Sequence, residues 1–331
     1  MKAALIQETG EPSVLQYQNT PTPDLTTPTD VRVRLKAAGI NPIDTKLRRG
    51  MYPMTHFPAI LGCDGAGVVE KVGDQVKTLQ PGDEVFFFYG GLDGVPGNYA
   101  EYIVLDERFA ILKPDAIDFI HAAAAPLVSL TAWEALHDRA GMKQGDRVLI
   151  HGGAGGVGHV AIQIAKRAGA LVCTTVSNDE KAAFVKKLGA DYIINYRETN
   201  FVDASLEWTD GQGVDIVMDN VGGSVIPESF AALKPYGNLV TLLKPEQDTD
   251  WTLARQRNLR LGFEVMLLPQ VAGLLDAQQH QSWILQQCAR LMQDKELVVV
   301  VSQTLPLDNV THAHEMIETG STTGKIVLEI D

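Results

Sequence analysis

Apolar and polar positions change their period about a third of the way along the chain. Residues 31–39 alternate in the two-residue period of a half-buried strand, and 66–72 and 84–88 are rich in β-branched and aromatic residues. Gly73-Asp74 and Pro81-Gly82-Asp83 punctuate them as turns. Short strands at this spacing predict an irregular antiparallel β-domain. From about Pro126 the period lengthens. Helical patterns at 129–140, 159–169, 180–189 and 224–235 alternate with β-branched runs at 147–151, 171–176, 192–195, 214–220 and 237–243. That alternation marks a doubly wound parallel sheet. Beyond about residue 265 the pattern loosens into a long helix (281–294), the run 297–301, a helix (309–320) and a closing strand (325–330). The chain is therefore expected to be α/β. A sheet domain, 126–264, is inserted into a β-rich domain made of 1–125 and 265–331.

Composition fits that division. With 331 residues, 45% of them apolar, there is room for two cores. Lys and Arg number 28 against 41 Asp and Glu, a net charge of −13. An acidic surface repels phosphate backbones and anionic headgroups, which argues against nucleic-acid and membrane partners. Cys63, Cys173 and Cys288 lie too far apart in sequence for a disulfide framework or a four-thiolate zinc site. The first ten residues read as a strand rather than a signal peptide, and no window reaches the ~18 apolar residues of a membrane span. A soluble, cytoplasmic protein is the expectation.

The strand at 147–151 runs into His151-Gly152-Gly153-Ala154-Gly155-Gly156-Val157-Gly158, and a helix follows at once. Gly153, Gly155 and Gly158 make G-x-G-x-x-G in the strand–turn–helix setting that distinguishes a dinucleotide site from an ordinary glycine-rich turn. Glycine lets the backbone approach a pyrophosphate, and the free N–H groups at the helix start, Gly156 and Val157 among them, receive its charge. An NAD site wants a carboxylate at the tip of the next strand. Here that strand ends at Val176-Ser177 with no acid. Ser177, Lys181 and Tyr196 together offer two hydroxyls and a cation to a 2′-phosphate. Asp179 and Glu180 oppose this, and Lys181 is equally readable as a solvated helix residue. The pattern favours NADP(H). Asn220, ending the strand at 214–220, is counted with the cofactor residues.

These segments, in this order, resemble the zinc-independent quinone oxidoreductase branch of the medium-chain dehydrogenase/reductase superfamily. The resemblance runs through AAGINPIDTKLRRGMYP (37–53), LGCDGAGVVEKVG (61–73), PGDEVFF (81–87) and GNYAEYIVL (97–105). It continues through AAAAPLVSLTAWEAL (122–136), the glycine turn, VSNDEKAAFVKKLGADYIINYRE (176–198) and GKIVLEI (324–330). It implies a GroES-like catalytic domain with an inserted Rossmann domain, an active site in the cleft between them, and a homodimer. It also implies that Thr131, Phe263 and Val265 approach the nicotinamide.

Zinc-dependent members of that superfamily carry a Cys after Gly-Ile, a His in Gly-His-Glu, and a third Cys or Asp before the helix that opens the Rossmann domain. This chain has Asn41 after Gly39-Ile40, Cys63-Asp64 after Gly62, and Pro126-Leu127-Val128-Ser129 in the third region. A catalytic zinc needs three protein ligands, and these do not supply them. His312 and His314, two apart on a predicted helix, diverge. No metal is expected.

Without a Lewis acid, hydride addition to a conjugated carbonyl is the less demanding reaction, because neutral donors can stabilise a delocalised anion. Asn41, if not merely a turn-former before Pro42, would hydrogen-bond the carbonyl or the nicotinamide ribose. Tyr52 is either a hydrogen-bond or proton donor to the developing oxyanion or an aromatic pocket wall. Asp44 reads as a cap on the helix that follows it, and Phe86-Phe87-Phe88-Tyr89 as core. The expected function is NADPH-dependent, metal-free reduction of quinones or conjugated enals and enones. The alternatives are an enoyl thioester reductase of the same superfamily and an NADPH-binding sensor with little turnover.

Overall fold

The computed structural model describes all residues, Met1–Asp331. Its contacts divide the chain into two compact units: Met1–Leu127 with Leu267–Asp331, and Val128–Met266. The helix Pro126–Trp133 crosses the first division. No helix is long and apolar enough to cross a membrane.

The first unit is GroES-like and β-rich. A seven-stranded sheet is built around the long strand Asp30–Ile40, which pairs antiparallel with Asp64–Val72, Tyr102–Asp106 and Lys325–Glu329. Asp64–Val72 pairs in turn with Glu84–Phe88, where Phe86 and Phe87 are fully buried as core. The closing strand Lys325–Glu329 is parallel to Val301–Pro306. Strands from before and after the second unit thus complete one sheet, while Lys2–Ile6, Gln16–Asn19 and Ala59–Ile60 form a separate three-stranded one. Most of the apolar run at 297–301 lies outside the sheet. Leu297 and Val299 are buried, but pairing begins at Val301.

The second unit is a six-stranded parallel sheet. Its spatial order is Tyr192–Asn195, Leu171–Val176, Arg147–Ile150, Val214–Asp219, Leu233–Thr241, Arg260–Phe263. Counted along the chain this is 3-2-1-4-5-6, the doubly wound order of dinucleotide-binding sheets. Burial explains the unbroken apolar strands: Val148, Leu149 and Ile150 are each fully buried. Several elements depart from the sequence reading, which contained neither the short helix Thr252–Gln256 nor the sixth strand Arg260–Phe263. Phe201–Trp208 is a helix, started by Asn200, whose side chain accepts from Val202 N and Asp203 N at 2.8 and 3.2 Å. The helix expected at 224–235 stops at Ala232, since Pro235 cannot continue it, and the strand Leu233–Thr241 begins there.

Candidate active site

In the first unit, strand register assembles a buried polar cluster. Gly39 lies opposite Asp64, and Ile40 opposite Ile326, so Asp64 and Lys325 flank the end of the central strand where Asn41 follows. The Lys325 ammonium donates to Ile40 O at 2.8 Å and to Asn41 Oδ1, and stands 3.6 Å from Asp64 Oδ2. Asn41 Nδ2 donates to the same Asp64 oxygen at 2.8 Å, while Leu127 N donates to Asp64 Oδ1 at 2.9 Å. Burial raises Asp64 to about 6 and lowers Lys325, and their mutual attraction opposes both shifts.

One turn along, Asp44 is the third residue of the helix Pro42–Arg48 rather than its cap. Its Oδ2 reaches back to accept from Asn41 N and also takes the Tyr99 hydroxyl, both at 2.9 Å. His314 Nε2 lies 3.2 Å from that hydroxyl. Burial, with repulsion from Asp64, lifts the Asp44 carboxyl to about 7 against the two hydrogen bonds that lower it. Burial also holds His314 down at about 3, so it is neutral. The ring of His314 points into the core, whereas His312 is exposed. Sequence reasoning missed Lys325, Tyr99 and His314. Each sits in an ordinary strand or helix pattern, and only the register brings them to Asn41.

These donors do not fit a zinc ion. The cluster already contains a cation, the Lys325 ammonium. The Cys63 thiol, which a metal would need as thiolate, is pushed up by burial and by the Asp44 and Asp64 carboxylates. No group of three or more His, Cys, Asp or Glu side chains is placed to hold a metal.

Asn41 is fully buried, and both ends of its amide are engaged by Asp64 and Lys325. Tyr52 differs: it is 48% exposed on the segment after the helix.

In the second unit the glycine turn follows Arg147–Ile150, and the helix Gly156–Arg167 starts directly after it. A Cβ on Gly153 would lie 2.0 Å from Thr174 Oγ1, and one on Gly158 2.3 Å from Gly152 O. The turn can hold this shape only without side chains there. Gly155, Gly156 and Val157 are half-buried, and the first-turn N–H groups have no acceptor within the helix. Asn220 Nδ2 donates to His151 O at 2.7 Å, while its Oδ1 is buried beside the turn without a partner. An orphaned acceptor and a turn closed to side chains fit a bound dinucleotide.

Val176 pairs with Asn195, and Tyr196 N donates to Val176 O at 3.1 Å. Ser177 and Tyr196 therefore leave adjacent strand ends. Lys181 lies in the first turn of the helix Asp179–Lys187, capped by Asn178. Thr131 is buried. Phe263 ends the edge strand Arg260–Phe263, three strands out from Arg147–Ile150, and both it and Val265 are exposed.

A GroES-like unit and a 3-2-1-4-5-6 parallel sheet together define the medium-chain dehydrogenase/reductase architecture. Models for the alcohol dehydrogenase GroES-like domain and for zinc-binding dehydrogenases match residues 27–115 and 188–328. The chain is 34% identical over 322 residues to a quinone oxidoreductase of Pseudomonas aeruginosa, covering 96% of both. A quinone oxidoreductase of Escherichia coli, solved as a complex with NADPH, matches at TM-score 0.88 and 31% identity, over 99% of this chain and 100% of that one. A structure described as an NAD-dependent alcohol dehydrogenase matches at TM-score 0.91 and 31% identity, over 100% of both. The chain belongs to the quinone oxidoreductase branch of the medium-chain dehydrogenase/reductase superfamily and is an oxidoreductase.

The Asp44 carboxyl generates a prediction with a definite sign. Its folded value of about 7 lies above the ordinary carboxylate range, so its stabilisation is complete below about pH 4 and is lost as pH rises towards 7. Asp44→Asn mimics the protonated acid and keeps an oxygen for Asn41 N and Tyr99. Urea unfolding should show the variant gaining on wild type by about 1.4 kcal/mol per pH unit across that window. Parallel stability curves from pH 4 to 7 would contradict the raised value.

Proposed function

We propose that the chain is an NADPH-dependent, metal-free oxidoreductase that reduces quinones or conjugated enals and enones. The observation that carries this reading is the pair of strand ends beyond the glycine turn. Ser177 and Tyr196 leave adjacent strands, Lys181 stands on the next helix, and no carboxylate occupies the strand tip. When bound, the cofactor supplies a hydride. The first-turn N–H groups of Gly156 and Val157 receive the pyrophosphate, and Ser177, Lys181 and Tyr196 hold the 2′-phosphate. The orphaned Asn220 Oδ1 is left to accept from the cofactor. Thr131, Phe263 and Val265 belong to the same proposal as nicotinamide neighbours.

In the first unit Tyr52, exposed and carrying a hydroxyl, donates to the oxygen on which charge develops. Asn41 acts as a positioning residue, because its amide is already engaged by protein partners. The Lys325 ammonium takes up the space and charge that a metal would need, and this supports the metal-free reading. The acceptor is a small molecule. A cytoplasmic location is part of the same proposal.

The protein is further proposed to act as a homodimer. Leu261, Phe263 and Val265 are exposed on or just after the edge strand Arg260–Phe263, which pairs on one side only. An open apolar edge of this kind favours pairing with a second copy.

Lys181→Ala should weaken NADPH binding by about 10- to 150-fold, the loss of one charge-assisted phosphate contact, and leave NADH binding almost unchanged. Titration of both cofactors checks this, and equal weakening would sink the phosphate pocket. For Tyr52→Phe, single-turnover reduction should slow by about 10²–10³-fold with an enone and by less with an ortho-quinone, whose product anion is better delocalised. A fall of under about threefold with both acceptors would leave Tyr52 a pocket wall. Sedimentation should give twice the 36.0 kDa chain mass, and Leu261→Glu should return it to the monomer; a monomeric wild type would exclude the dimer.

A further inference from the structure

Residues 52–58 have no regular secondary structure, and every hydrogen bond leaving this segment ends on one carboxylate. Asp93 accepts from Thr55 N and Thr55 Oγ1, each at 2.7 Å, and from His56 N at 2.9 Å. The His56 ring adds Nδ1 at 3.2 Å. These bonds hold the Asp93 carboxyl well below the ordinary carboxylate range.

Asp93 itself sits on a rigid turn. Val95 N donates to Leu92 O at 2.9 Å and Gly91 N to Val95 O at 3.1 Å. The turn presses so close to the core that a Cβ on Gly91 would lie 2.6 Å from Gly62 O. Buried Asn98 fastens its base, donating to Tyr89 O and Gly62 O at 2.8 and 3.0 Å. The segment it holds exposes large apolar and aromatic side chains. Met51, Tyr52 and Phe57 are 63%, 48% and 37% exposed.

We propose that Asp93 is a positioning residue for the acceptor: its carboxylate fixes the 51–57 segment, and through it Tyr52 and the apolar faces of Met51 and Phe57. The inference rests on the assignment of Tyr52 to the acceptor site. A flat aromatic quinone uses the whole of such a face, whereas a small enal uses little more than the hydroxyl. Asp93 therefore selects for bulky aromatic acceptors. It touches neither cofactor nor acceptor and acts only through the segment it holds.

The test compares wild type, Asp93→Asn and Asp93→Ala with NADPH. Thermolysin nicking before Met51 or Met54 reads the segment without reference to activity. Asp93→Ala should be nicked about tenfold faster, with its melting temperature and NADPH affinity unchanged. Single-turnover reduction of 9,10-phenanthrenequinone should fall by roughly 10- to 100-fold with a raised KM, as expected of a misplaced reacting group, and that of acrolein by much less. Asp93→Asn, which retains one acceptor oxygen, should lie between. Unchanged nicking, or equal losses with the two acceptors, would overturn the proposal, because a merely structural role would not discriminate by acceptor size. If Asp93→Ala fails to fold, Thr55→Val, which removes one of the bonds, must show the same acceptor-selective loss in smaller measure, and its absence overturns the proposal. A wild type that reduces neither acceptor defeats the functional reading instead, and nicking then decides the latch alone.

Discussion

A lysine ammonium buried at the end of a strand is the constraint around which the first unit is arranged. An isolated buried charge costs several kcal/mol, so it persists only where its donors and a counter-charge are all met. Lys325 satisfies this through a backbone carbonyl, an amide oxygen and a carboxylate, all at the end of the strand Asp30–Ile40. Asp64 is then committed to Lys325, Asn41 and Leu127, and Asn41 is committed on both faces. The start of the helix Pro42–Arg48 inherits its position from these bonds, as Asn41 immediately precedes it. The cation that faces the Asp64 carboxylate is supplied by the chain itself.

The second unit depends on the opposite device, the exclusion of side chains. Gly153 and Gly158 let the turn lie against Thr174 and fold back on Gly152, distances that any Cβ would violate. The first-turn N–H groups of the helix have no acceptor within it, and the buried Asn220 Oδ1 has no partner. A buried polar atom without a partner is unfavourable in the empty protein. Under the proposed dinucleotide reading, a ligand that met it would regain that energy as affinity.

In the first unit, the exposed segment 51–57 has no regular secondary structure. Its attachment through Asp93 concentrates control of the Tyr52 hydroxyl in one carboxylate on a turn fastened to the core. Rigid sheets fix the polar groups, while a tethered loop presents the exposed aromatic ones.

Local pattern alone determined the α/β class, the inserted parallel sheet and the glycine turn, because each depends on the period of apolar residues or on glycine at fixed spacing. It also marked Ser177 and Tyr196, which follow strands whose ends are legible from their β-branched runs. The helix Phe201–Trp208 escaped notice because it is short and its periodicity covers only about two turns. The run at 297–301 carries no period that separates burial from pairing: Leu297 and Val299 are buried, yet pairing starts only at Val301. Only the tertiary structure decided that Asn41 turns inward, that Lys325 from the far end of the chain meets it, and that Asp44, Tyr99 and His314 form one row. Register joins residues 284 positions apart in sequence, and no local period encodes which strands will be neighbours. The same holds for Asp93, whose hold on Thr55 and His56 comes from two loops meeting in space, where neither has a pattern to read.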